Sequence, residues 1–88
     1  MARQRYAVEL KQSARKELER LPSGIIARIV AKLESLEVDP RPAGCKKLKG
    51  GDGEYRVRVG DFRIVYVIDD FRVIVTITRI RNRKDVYE

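Results

Sequence analysis

Eighty-eight residues leave room for one hydrophobic core, so a single domain over residues 1–88 is expected, and a chain of this size buries only about 60 to 65% of its unfolded surface. Charged residues make up 38% of the chain, and 20 Lys and Arg against 13 Asp and Glu leave a net charge of +7, which calls for a polyanionic partner: nucleic acid, an acidic protein segment or an anionic membrane surface. The single cysteine, Cys45, excludes an internal disulfide, and the absence of histidine excludes zinc-finger spacing and leaves proton transfer to Lys, Arg, Tyr, Asp, Glu or Cys45.

The opening MARQRYAVELKQ has no apolar core of signal-peptide type, and no apolar run approaches the roughly 20 residues of a membrane span. A soluble, cytoplasmic protein of a reducing compartment is therefore expected, with no membrane contact. In residues 5–10, RYAVEL, Tyr6, Val8 and Leu10 alternate with Ala7 and Glu9 as in a short half-buried strand. SARKELERL follows, with Ser13 as an N-cap and Ala14, Leu18 and Leu21 at i, i+4 and i+7. Pro22 to Gly24 breaks that helix, and Ser23 is placed to cap a second one. Its stripe is Ile26, Ile29, Val30, Leu33 and Leu36, with Arg28, Lys32 and Glu34 largely off it. The two helices read as an αα-hairpin joined by a tight turn.

Pro40 disfavours helical geometry at Asp39 and ends the second helix. CKKLKGGDGEY then reads as a basic, glycine-rich loop. Three strand-like runs follow at residues 54–59, 62–68 and 71 or 72 to about 78, joined by the hairpin-type dipeptides Gly60-Asp61 and Asp69-Asp70. The tail RIRNRKDVYE reads as polar and irregular. The order β-α-α-β-β-β predicts an α+β fold: a small twisted, antiparallel-rich β-sheet with the N-terminal αα-hairpin packed on one face.

Strand parity assigns the faces. A two-residue turn at Gly60-Asp61 sets Val59 opposite Phe62, so Tyr55, Val57, Val59, Phe62, Ile64, Tyr66 and Ile68 share the core side, with Val73, Val75 and Ile77 carried over from the third run. The other side holds Arg56, Arg58, Arg63, Val65, Val67, Ile74, Thr76 and Thr78. Arg58 then stands opposite Arg63, and directly opposed like charges cost up to about 1 kcal/mol. A fold indifferent to ligands has little reason to carry that pair. The same side is partly apolar, and an apolar patch rimmed by charge reads as a binding surface.

Taken together, KKLKGGDGEYRVRVGDFRIVYVID and the ending RIRNRKDVY resemble the RelE/ParE superfamily of toxins from type II toxin–antitoxin modules. The resemblance runs over nearly the whole chain and implies the same sheet-plus-helix-pair fold. It implies a cognate antitoxin as partner, neutralising by charge, occlusion or displacement of the tail. For the RelE branch it implies a ribosome-dependent endoribonuclease (an mRNA interferase), with ribosome and mRNA as partners and no histidine, metal or small-molecule cofactor. The 2′-OH attacks the adjacent phosphate, leaving a 2′,3′-cyclic phosphate and a 5′-OH. For the ParE branch it implies non-enzymatic inhibition of DNA gyrase, the alternative reading.

Carried over residue by residue, the resemblance places Arg56, Arg58, Arg63, Arg81 and Tyr87 at the reacting centre. Lys46, Lys47, Lys49 and Arg83 become RNA-binding residues outside it, with Arg83 competing with Arg81 for the phosphate clamp. Arg56 and Arg58 stand where some RelE enzymes have strand lysines, one of them a proposed general base. Arginine stays protonated, so it stabilises charge and does not accept protons. Proton abstraction then falls to Tyr87, or the activity rests on electrostatics.

Overall fold

In the computed structural model, which describes residues 5–50 and 53–82, one mixed sheet carries two helices on one face. The elements run β1 (Ala7–Leu10), α1 (Gln12–Glu19), α2 (Ser23–Val38), β2 (Lys46–Lys47), β3 (Glu54–Val59), β4 (Phe62–Asp69) and β5 (Ile74–Asn82). The spatial order is β1-β5-β4-β3-β2. Only β1 and β5 pair in parallel; every other neighbour is antiparallel, as hairpin connections require. The α+β class and the helix pair on one face follow the expectation from sequence. No helix among the described residues is long and apolar enough to cross a membrane.

Gly60 adopts φ 57°, the hand a two-residue hairpin needs at its first central position, and Val59 accordingly faces Phe62. The parity read from the sequence holds through β3 and β4. Val57, Val59, Ile64 and Tyr66 are buried with Val75, Ile77 and Ile80 of β5, against Ala14 of α1 and Ile29, Leu33 and Leu36 of α2. Tyr55 and Tyr66 are packing residues, with stacked rings 6.0 Å apart.

Four expectations are corrected. CKKLKGGDGEY is not all loop, because Lys46 and Lys47 add a short edge strand opposite Arg56 and Tyr55. The start of the tail is not irregular either, since β5 continues to Asn82. Neither serine caps its helix: Ser13 lies inside α1 with its Oγ donating to the Thr78 carbonyl at 3.4 Å, and α2 begins at Ser23 with no side-chain cap at Pro22. Val30 leaves the core stripe and is 37% exposed.

Candidate functional site

The arginines fall into lateral rows on the sheet face away from the helices. Arg58 of β3 pairs in register with Arg63 of β4, and Arg63 pairs with Arg81 of β5, so the three side chains stand side by side on neighbouring strands. Cross-strand partners lie about 5 Å apart at Cβ, which brings guanidinium forks from three strands within reach of one oxyanion. One pair further along, Lys46, Arg56, Val65 and Arg79 form a second row. Arg58, Arg79 and Arg81 are exposed; Arg63 is half-buried with its Nε sealed from solvent, and Arg56 is only 9% exposed. Arg56 is therefore built into the sheet, whereas Arg58 and Arg81 are presented on it.

A bulge is what aims Arg81. Counting in twos from Val75 and Ile77 would turn Arg79 and Arg81 toward the core. The register instead slips between Val65 and Tyr66: Tyr66 faces Ile77, Val65 faces Arg79, and Thr78 is the extra residue. Thr78 Oγ1 donates to the Val65 carbonyl at 3.1 Å, giving the unpaired residue a bond in the strand gap. Beyond the slip Ile80 points inward, 2% exposed, and Arg79 and Arg81 point out beside Arg63.

Glu17 completes this end of the site, and nothing in the sequence pattern singled it out. β1 covers β5 only as far as Ile77, so the edge beyond would be bare; α1 lies there instead. Glu17 Oε1 accepts from the Ile80 backbone N–H at 2.9 Å, and its Oε2 accepts from Arg81 Nε at 3.1 Å with Arg79 Nη1 at 3.7 Å. One carboxylate thus takes the place of a strand partner and fixes the stem of an arginine. With Nε engaged, the Nη1 and Nη2 groups of Arg81 keep their donors for another anion. The signal that could have found it is a Glu at the inner margin of an amphipathic helix, meaningful only once the helix is known to flank β5.

The loop lysines divide. Lys46 shares the arginine face through its pairing with Arg56, Lys47 pairs with Tyr55 on the opposite face, and Lys49 is exposed in the following loop, outside both rows. Arg83 and Tyr87 lie outside the described residues.

At the other end of the same strands lies a second charged cluster, exposed but bonded within the protein. Arg41 grips Asp70 with two donors, at 2.9 and 3.3 Å, and its Nε donates to Tyr55 Oη at 3.2 Å with the guanidinium 5.3 Å from the ring centre. Tyr6 also donates to Asp70, at 2.7 Å, and buried Tyr66 donates to the Pro40 carbonyl at 2.8 Å. The Arg41 and Tyr6 hydrogen bonds hold the Asp70 carboxyl below its ordinary 3.8. Burial, chiefly, pushes the Tyr66 phenol up.

The chain was compared with known proteins. A family model described as the ParE toxin of the type II toxin–antitoxin system parDE matches residues 8–87. A Methanocaldococcus jannaschii protein bearing the toxin name RelE1 is 36% identical over 89 aligned positions, covering 96% of this chain and 97% of its own length. Among solved structures, the RelBE2 toxin–antitoxin complex of Mycobacterium tuberculosis aligns with TM-score 0.80 at 32% identity, over 90% of this chain and 99% of that one. The archaeal RelE–RelB complex of Pyrococcus horikoshii aligns with TM-score 0.79 at 28% identity, over 89% and 94%.

Proposed function

This chain belongs to the ParE toxin family of type II toxin–antitoxin systems, and we propose that it works there as a RelE-type toxin, an endoribonuclease that cuts messenger RNA on the ribosome and so inhibits translation. The Methanocaldococcus jannaschii relative carries a RelE name, and the Mycobacterium tuberculosis and Pyrococcus horikoshii structures are complexes of such toxins with antitoxins, which supports a cognate antitoxin as partner and disfavours the gyrase alternative. A ribosomal target places the toxin in the cytoplasm. The observation that carries the reading is the in-register row Arg58–Arg63–Arg81.

The chemistry follows from that row. The ribose 2′-oxygen attacks the adjacent phosphorus as the bond to the 5′-oxygen breaks, and negative charge gathers on the nonbridging oxygens. Arg63 and Arg81 meet those oxygens with paired donors, positioned before the reaction rather than recruited during it. Arg58 lies one strand out and adds charge from the β3 side; Arg56 holds the floor. None of these accepts a proton, so Tyr87 orients or deprotonates the 2′-OH in this mechanism, and the leaving 5′-oxygen takes up a proton. Lys46 grips phosphate beside Arg56, with Lys47, Lys49 and Arg83 contributing charge around the strand.

Purified ribosomes programmed with a defined transcript test the reading. The parent protein is expected to cut the transcript, and Arg63→Ala is expected to lower the rate by about 10²- to 10³-fold, as loss of one donor to a developing oxyanion does. Tyr87→Phe is expected to reduce it as well. Identical transcripts from the parent and the Arg63→Ala, Tyr87→Phe double variant would sink the assignment.

A further inference from the structure

Beside the arginine rows, positive charge continues along the open edge of β3. β2 pairs with that strand only at Tyr55 and Arg56, so the edge is bare from Val57 onward and α2 flanks it. Two adjoining cavities, of about 230 and 500 Å³, fill the space between helix and edge. Lys32, Lys46, Arg56 and Arg58 line the first; Arg28, Lys32 and Arg58 line the second. Since Lys32 and Arg58 border both, the two cavities adjoin as one groove, and among the described residues no carboxylate lines either part.

The groove is assembled from spaced elements. Arg28 and Lys32 stand at i and i+4 of α2, where like charges repel and weaken a helix by a few tenths of a kcal/mol. The Arg28 guanidinium lies over the β3–β4 turn, 3.4 Å from where a Cβ on Gly60 would sit. No ion pair within 4 Å is made by Arg28, Lys32 or Arg58 among the described residues, while Glu37 of the same helix is turned away to Arg5 at 3.6 Å. The remaining lining is Ala31, Ser35, Ala43, Gly44 and Gly60, with Val57 and Val59 of the strand edge, whose side chains are buried in the core.

We propose that this groove is a second site for the RNA backbone, in which Arg28 and Lys32 hold phosphates of the strand whose neighbouring segment lies across the Arg58–Arg63–Arg81 row. The inference rests on the RNA-cleaving function above and names the residues that carry the strand outside the reacting centre. Arg58, common to the groove and the row, makes the cationic track continuous. An acidic polypeptide would satisfy the charge too, but a docked segment takes its affinity from apolar anchors in pockets, and walls of alanine, serine and glycine between cations, with Val57 and Val59 turned into the core, offer few. Evenly placed cations with open space between them suit phosphates.

The test measures binding and cleavage separately. In an Arg63→Ala background that slows cleavage, and without the ribosomes on which cleavage depends, a labelled single-stranded oligoribonucleotide is titrated by anisotropy between about 50 and 200 mM salt. Arg28→Glu/Lys32→Glu is expected to weaken binding at least tenfold at the lower salt. It should also flatten the slope of log affinity against log salt by about 1.4, two phosphates at roughly 0.7 each for a single strand. Arg28→Gln/Lys32→Gln, with an unchanged melting curve, should fall between, which separates lost charge from lost fold. Parental affinity and slope in the reversed variant would overturn the proposal. So would loss of polyglutamate binding with RNA binding kept, which would assign the groove to an acidic protein. A parent that leaves ribosomal transcripts whole while the groove variants still lose RNA would break the cleavage reading and leave the groove standing.

Discussion

Arg41 and the row Arg58–Arg63–Arg81 are served by the same strands and treated in opposite ways. Arg41 spends its donors inside the protein, two on Asp70 and one on Tyr55, with its plane against an aromatic ring. It ties the segment after α2 to β3 and to the β4–β5 turn. The row sets three guanidinium groups beside one another, a placement in which like charges repel, and Glu17 meets it at one end, accepting from Arg81 Nε at 3.1 Å. Residue type is constant between the two regions, so neighbours alone separate an arginine whose donors tie segments of the fold together from arginines set side by side on the sheet face. Glu17 stands between the two cases, as an internal carboxylate that engages Arg81 through one nitrogen and leaves its fork directed elsewhere.

The largest effect that would sharpen this contrast comes from Glu17. Removing it with Glu17→Ala frees Arg81 and leaves the Ile80 N–H unanswered, so the cleavage rate should fall about 10- to 100-fold and stability by about 1–3 kcal/mol. Because the variant is more basic, RNA affinity should hold or rise while kcat drops. Glu17→Gln keeps an acceptor for Ile80, so it should recover most of the stability and only part of the rate. If kcat is unmoved in Glu17→Ala, the carboxylate is merely an edge cover and does not position Arg81.

A middle-sized effect probes the other region. Tyr66 is fully buried and donates to the Pro40 carbonyl at 2.8 Å. Tyr66→Phe keeps the ring and removes the bond, which should lower stability by about 1–1.5 kcal/mol in urea titrations. Cleavage per folded molecule should not change. A loss of activity larger than the loss of folded protein would join the two regions and break the contrast.

Much of this was legible in the sequence because it depends on period and turn chemistry. The alternation in YRVRVGDFRIVY and the glycine at the turn settle the register of β3 and β4, and with it the Arg58–Arg63 pair. What escaped depends on a slip of one residue. The bulge at Thr78 leaves no mark in an alternation pattern, yet it decides whether Arg79 and Arg81 face the core or the opposite side of the sheet. The carry-over from family resemblance grouped Arg81 with Arg63, and the two pair in register only because of the bulge; parity alone would have turned Arg81 to the core. Glu17, Arg28 and Lys32 escaped differently. On a helix each reads as solvated surface, and only the packing of α1 on β5 and α2 along β3 brings them to the site.

The smallest effect is also the most diagnostic of how Arg41 is held. Asp70 accepts from Arg41 and from Tyr6, and both bonds favour its ionised form, so its pKa in the folded protein lies below the ordinary 3.8. A carboxylate depressed on folding contributes stability at pH values above its ordinary pKa and loses that contribution as pH falls through its folded one. Asp70→Asn should therefore melt lower than the parent near neutral pH, by no more than a few degrees because the pair is exposed. The gap should close as the pH is taken below about 4, and it should narrow in about 1 M salt, which screens an exposed pair. Asp70 bonds Arg41 and Tyr6 and none of Arg58, Arg63 or Arg81, so the ribosomal activity of Asp70→Asn at neutral pH should equal that of the parent. A gap that persists unchanged at low pH would mean that the Asp70 side chain acts by shape rather than charge. The division between an arginine satisfied from within and arginines satisfied from without would then lose its electrostatic basis.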